Sequence, residues 1–185
     1  MDHNTRIDEW RQRLLYCVGG LLAFETLTGL AVYLLPFSVS NQVMVLLHTI
    51  AGLVFVLPYA WYQIRHWRLY HSLRWSHEML TGYFSMAATL ALSVSGIVLT
   101  VQAATSTRIS HWLDVVHVVA TVALIGAAVP HILTPVSRAV RARASESAAL
   151  TRGAAARFGW RMLSLTAALF VLVVIGVAAY RPPAL

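Results

Sequence analysis

Residues 115–136 read VVHVVATVALIGAAVPHILTPV. The stretch has no acidic residue, no Lys and no Arg, and its apolar residues run in blocks with no period-two alternation. A helix needs about 20 apolar residues to cross a bilayer core of roughly 30 Å, and a membrane β-strand would alternate. Backbone polar groups find no water in lipid and must pair within the segment, which leaves the helix. Four more stretches read the same way: 14–35, 42–64, 79–104 and 162–180. Within all five, Glu25 is the single acidic or basic side chain apart from histidine. Of the 185 residues 58% are hydrophobic and 11% charged, where soluble domains carry about 25% charged residues. The expected fold is an all-α integral membrane protein of five transmembrane helices. Short connections make consecutive spans antiparallel neighbours, so residues 1–136 are expected to form a four-helix bundle. Residues 137–161 are expected to form an Arg/Ala-rich loop, and 162–185 a fifth, peripheral support or partner-binding helix with a short tail.

Charge placement orients this bundle. All fourteen basic residues are Arg. Arg6, Arg11 and Arg13 precede the first span, Arg65, Arg68 and Arg74 follow the second, and Arg138, Arg141, Arg143, Arg152, Arg157 and Arg161 follow the fourth. Arg108 and Arg181 alone fall on the other side. The positive-inside rule then predicts a cytoplasmic N-terminus and a periplasmic C-terminus in a bacterial inner membrane. The net charge of +7 is thus a topology signal and points to no nucleic acid; the basic loop could also contact anionic lipid. The first span is long and continuous, and no small-x-small cleavage pattern follows it, so it is expected to be retained. The single Cys17 excludes an internal disulfide and a C-x-x-C-H covalent haem site.

Histidines carry the chemistry. Ionisable residues inside a membrane are rare and mark function. His117 and His131 are fourteen residues apart, about 21 Å along a helix and some 40° apart in direction, so they share a face. A zinc or copper site would need ligands within a turn of one another. This long spacing instead suits two haems stacked across the membrane, each taking a second imidazole from a facing helix. Bis-imidazole ligation leaves no open position and so serves electron transfer. Span two supplies His48 and His66, eighteen residues apart and also on one face, but about one turn further apart than the span-four pair. Position 62, which would match the fourteen-residue spacing, holds Tyr62. His66 and His77 compete for the inner site, with His71 a third choice. His111 reads as interfacial, and His3 carries no role.

Gly52 lies one turn after His48, and Gly82 and Gly96 share a face of span three; a flat macrocycle needs such gaps, as does ordinary close helix packing. A weak repeat links the halves: Thr28-Gly29 precedes His48 as Ser95-Gly96 precedes His117. Arg65, Arg68 and Arg74 could pair with inner haem propionates and Arg108 with outer ones. Glu25, near the middle of span one, could handle protons near a quinone or a haem, or bond to a neighbouring helix.

The His-x13-His helix, the Leu47-His48-x3-Gly52 step and the His66-Trp67-Arg68 exit together resemble the di-haem cytochrome b membrane subunits. These include the cytochrome b561-like subunits of nickel-iron hydrogenases and formate dehydrogenases. The resemblance covers spans one to four. It implies two b-type haems held by His48, His117, His131 and one further inner histidine. It also implies exchange with a quinone pool and a respiratory partner subunit carrying iron-sulfur clusters or multiple c-type haems. Span one lacks the histidine of the formate-dehydrogenase pattern, and two histidines on span two look more like the core of respiratory cytochrome b. The rival expectations are a stand-alone transmembrane haem reductase and a haem-free anchor or transporter.

Overall fold

Short polar side chains finish one helix and start the next. The computed structural model describes residues 12–72, 75–141 and 146–179. It runs as α1 (Arg13–Leu34), α2 (Val39–Tyr70), α3 (His77–Ala104), α4 (His111–Arg141) and α5 (Glu146–Ala179). Ser38 caps α2, its Oγ accepting from the Asn41 amide at 3.2 Å. The buried Asn41 then turns back, and its Nδ2 donates to the carbonyls of Leu35 at 3.1 Å and Val32 at 3.3 Å. The last carbonyls of a helix lack intrahelical partners, so α2 satisfies the end of α1. Ser76 caps α3 in the same way, accepting from the Met79 amide at 3.3 Å. Across the α3–α4 turn the Ser110 amide donates to Gln102 Oε1 at 3.0 Å.

All five helices are long and apolar enough to cross a membrane: Arg13–Leu34, Val39–Tyr70, His77–Ala104, His111–Thr134 and Arg152–Ala179. Their outer faces carry Leu57, Val122, Trp61 and Ile175, each more than half exposed. So much apolar surface suits a lipid solvent and would be a liability in water. Among the described residues there is no strand.

At the arginine-rich end the helices outrun the expected spans. α2 continues to Tyr70, α4 reaches Arg141 and α5 begins at Glu146. Residues 137–161, expected as a loop, are therefore helical wherever they are described. That stretch is rich in Ala and Arg and has no proline. Good helix formers continue a helix beyond the apolar segment. His3, Arg6, Arg11, Arg74, Arg143 and Arg181 lie outside the described residues.

The apolar core sits on one side of the molecule. One cluster joins Val18 and Leu21 of α1 to Phe55 of α2, and a second joins Phe24, Met44 and Val173 of α1, α2 and α5. Phe24 meets Phe170 edge-on at 5.3 Å, and Thr166 of α5 donates to the Gly20 carbonyl of α1 at 3.0 Å. α5 thus packs against α1, and less extensively against α2 and α4. On the other side α3 and α4 form the most extensively packed hairpin. Small residues there (Ala88, Ser95, Ala120 and Ala127) are buried and let the backbones approach. α2 meets α3 more sparsely, and histidines from α2 and α4 meet across that seam.

Candidate functional site

Two antiparallel registers place the histidines. In the α1/α2 hairpin, a Cβ added at Gly29 would lie 3.1 Å from His48 Cε1, and one at Gly52 3.1 Å from Glu25 Oε2. Both pairs sum to 77 (29 + 48, 25 + 52), as facing residues of one antiparallel pair must. In α3/α4 the facing pairs sum to 213. Gly96 faces His117, with a hypothetical Cβ 3.2 Å from Cε1, and Gly82 faces His131 at 2.9 Å. The fourteen-residue spacing on α3 therefore matches that on α4 rung for rung. Three of the four imidazoles lie flush against a glycine, where any side chain would push them away. Gly52, expected to clear space beside His48, instead clears it for the Glu25 carboxylate.

The Nδ1 atom of every ring is engaged. His131 Nδ1 lies 2.9 Å from the Glu78 carbonyl; a carbonyl only accepts, so Nδ1–H donates. His117 Nδ1 lies 2.9 Å from Ser95 Oγ, whose hydroxyl already donates to the Ala91 carbonyl at 2.7 Å, so here too the ring donates. His48 Nδ1 lies 2.9 Å from Glu25 Oε2 and 3.1 Å from Thr28 Oγ1, and Thr28 donates its own proton to the Phe24 carbonyl at 2.8 Å. His66 Nδ1 is 3.4 Å from the Tyr62 hydroxyl. This is the pattern of metal-binding histidines, which use one nitrogen for the metal and anchor the other to an outer partner that fixes tautomer and ring orientation.

The rings meet in two pairs. His48 and His117 have centroids 6.2 Å apart and planes at 86°. His66 and His131 are 6.1 Å apart at 80°. α2 runs unbroken through Pro58 between its two histidines. Both pairs form even though the α2 spacing is longer by one turn, roughly 6 Å. Of the candidates for the arginine-rich end, His66 meets His131. Tyr62 stacks on its ring at 5.3 Å and Tyr70 packs at 4.5 Å. His77 is exposed at the first position of α3. His71 is exposed and stacks on Trp67 at 4.6 Å, and His111 is exposed beside Trp112. Arg65 and Arg68 are exposed on the last turns of α2, and Arg108 is exposed in the α3–α4 turn.

These spacings can be compared with what a shared metal demands. A metal–imidazole bond is about 2.0–2.1 Å, which puts the two ligating nitrogens about 4 Å apart and the ring centres roughly 6 Å apart. Both pairs have that separation. Among the described residues no group of three or more His, Cys, Asp or Glu gathers around a common point. Each pair thus brings two imidazoles to one place.

Thr28, Ser95, Gly29 and Tyr62 belong to the site but received no role from sequence. The Thr-Gly and Ser-Gly steps were the available signal, since each puts a hydroxyl and a gap beside the histidine it faces. Comparison with family models, with curated proteins and with solved structures found no match.

Proposed function

We propose that this protein is a membrane-embedded di-haem cytochrome b that carries electrons across the bilayer between a quinone pool and a partner redox subunit. The observation that carries the reading is the double convergence of imidazoles: two perpendicular pairs, 6.2 and 6.1 Å between ring centres, each ring anchored through Nδ1. A haem-free anchor or transporter would have no need for two such pairs fourteen residues apart along α4. When bound, a bis-histidine haem supplies a one-electron couple with no open coordination position.

In this reading His48 and His117 hold one haem at the end carrying the α1–α2 and α3–α4 turns. His66 and His131 hold the other at the arginine-rich end. Gly29, Gly96 and Gly82 let the rings lie against the backbone, and Thr28, Ser95, Tyr62 and the Glu78 carbonyl hold their orientation. Arg65 and Arg68 would pair with propionates at the arginine-rich end, and Arg108 with those at the other. The chain carries no dinucleotide or flavin motif, so its electrons come from partners: quinol on one side and an iron-sulfur or multihaem c-type subunit on the other. The arginine-rich end faces the cytoplasm of a bacterial inner membrane.

The test is a reduced-minus-oxidised spectrum with pyridine haemochrome quantitation of the purified chain, followed by addition of a short-chain quinol. The expected result is two non-covalent b haems per chain, reducible by the quinol. Protein without haem, or with a single haem, would overturn the proposal.

A further inference from the structure

The two imidazole pairs differ in what stands behind the rings. His117 is anchored by a hydroxyl, His131 by a backbone carbonyl and His66 by a phenol. Among the hydrogen bonds described for the four rings, that of His48 goes to a carboxylate, Glu25 Oε2 at 2.9 Å, on the nitrogen that also meets the Thr28 hydroxyl. The Thr28 contact would orient the ring unaided, as Ser95 does for His117. Glu25 is nonetheless kept in the membrane, its side chain 12% exposed. Its second oxygen, Oε1, is buried and has no hydrogen-bond partner among the described residues. Leaving a carboxylate oxygen unmet in an apolar bundle is costly, so packing alone does not account for an acid at this position. Gly52 makes the room: any side chain there would press on Oε2.

We infer that Glu25 is a positioning residue that acts through His48 to make the His48/His117 site the low-potential member of the pair. The inference rests on the di-haem reading. An imidazole that donates Nδ1–H to a carboxylate takes on imidazolate character and becomes a more basic ligand through Nε2. A more basic axial ligand favours the oxidised, more positive metal over the reduced one, which lowers the potential. The partners described at Nδ1 of the other three rings are a hydroxyl, a backbone carbonyl and a phenol, none of them charged. Electron transfer between the two sites then runs downhill from the turn end to the arginine-rich end.

The test is a redox titration of the full-length purified chain at one fixed pH, with the low-spin ferric EPR signals recorded alongside. In the wild type, the component deleted by His117→Ala should be the lower in potential. Glu25→Gln should shift that component upward by about tenfold in the oxidised-to-reduced ratio, or about 59 mV for a one-electron couple, and alter its EPR signal. The component deleted by His131→Ala should stay put. Glu25→Asp should restore part of the shift. If Glu25→Gln does not accumulate, Gly52→Ala, which crowds the carboxylate away from His48, should shift the same component in the same direction. Unmoved potentials, a shift in the His131 component, or a wild type in which the His117 component is the higher would overturn the inference and leave the di-haem reading standing. A wild type without haem would overturn both.

Discussion

Under the di-haem proposal, Gly82→Ala perturbs one site without replacing a proposed ligand. The new Cβ would lie 2.9 Å from His131 Cε1 and 3.2 Å from Nδ1, against ordinary contacts of 3.4–4 Å. The ring must retreat by at least 3.4 − 2.9 = 0.5 Å, or α3 and α4 must separate by that much. Metal-ligand distances tolerate about ±0.2 Å, so the imidazole cannot both clear the methyl and keep its bond. Overpacking of this kind costs about 1–3 kcal/mol, which should weaken haem binding at the proposed His66/His131 site by between about fivefold and about 160-fold. Retreat also stretches the 2.9 Å bond to the Glu78 carbonyl. Gly96→Ala meets His117 Cε1 at 3.2 Å, needs a shift of only 3.4 − 3.2 = 0.2 Å, and should weaken the other site less. Gly126 on α4 has nothing within 4 Å, so Gly126→Ala is the control and should bind as wild type. Haemochrome stoichiometry and the reduced spectrum of the three purified variants read the outcome. The argument fails if Gly82→Ala holds two haems with wild-type spectra, or if it loses the component that His117→Ala deletes.

The remaining predictions concern pairing, topology and packing. His48→Ala and His117→Ala should delete one spectral and potentiometric component, and His66→Ala and His131→Ala the other, while His77→Ala and His71→Ala delete neither; loss of different components by His48→Ala and His117→Ala would break the pairing. A reporter fused after Leu185 should be active as a periplasmic enzyme and one inserted near Ser147 as a cytoplasmic one, and the reverse would invert the bundle. Thr166→Val removes the hydroxyl that ties α5 to Gly20 and should lower stability by about 0.5–1.5 kcal/mol, measured by thermal unfolding in detergent, with both sites intact.

Five spans were legible because uncharged apolar blocks leave few alternatives, and helical phase alone set His117 with His131 and His48 with His66 on shared faces. The partner of His131 at the arginine-rich end was not legible. Spacings of eighteen and fourteen residues do not match on straight parallel helices, so helical phase alone could not choose between His66 and His77. The Glu25–His48 contact needed the α1/α2 register, which follows once Gly29 is set opposite His48. The Glu78 carbonyl behind His131 was invisible in principle, since every residue has one. α2, α4 and α5 run past their apolar segments because apolarity marks where lipid stops, whereas helix propensity and the absence of proline mark where the helix stops.

The two hairpins repeat one another at one end and diverge at the other, and that divergence accounts for two unlike sites. Thr28-Gly29 against His48 is matched by Ser95-Gly96 against His117, in hydroxyl, gap and ring contact alike. Fourteen residues further along, α4 offers His131 against Gly82 of α3. The equivalent positions of the first hairpin are Tyr62 on α2 and Leu15 on α1. Where the second hairpin has glycine the first has Leu15, which leaves no glycine for an imidazole at position 62 to lie against. The histidine stands one turn later, at His66, and Tyr62 has become its neighbour, stacking on the ring and reaching Nδ1 with its hydroxyl. What Thr28 does by facing the ring across the hairpin, Tyr62 does from within the same helix. The turn-end site thus retains a near two-fold likeness broken only by Glu25, whereas the arginine-rich site pairs a ring bedded on glycine with a ring flanked by Tyr62 and Tyr70. Two metals held in such unlike settings would differ in potential, and a difference in potential gives transmembrane electron transfer its direction.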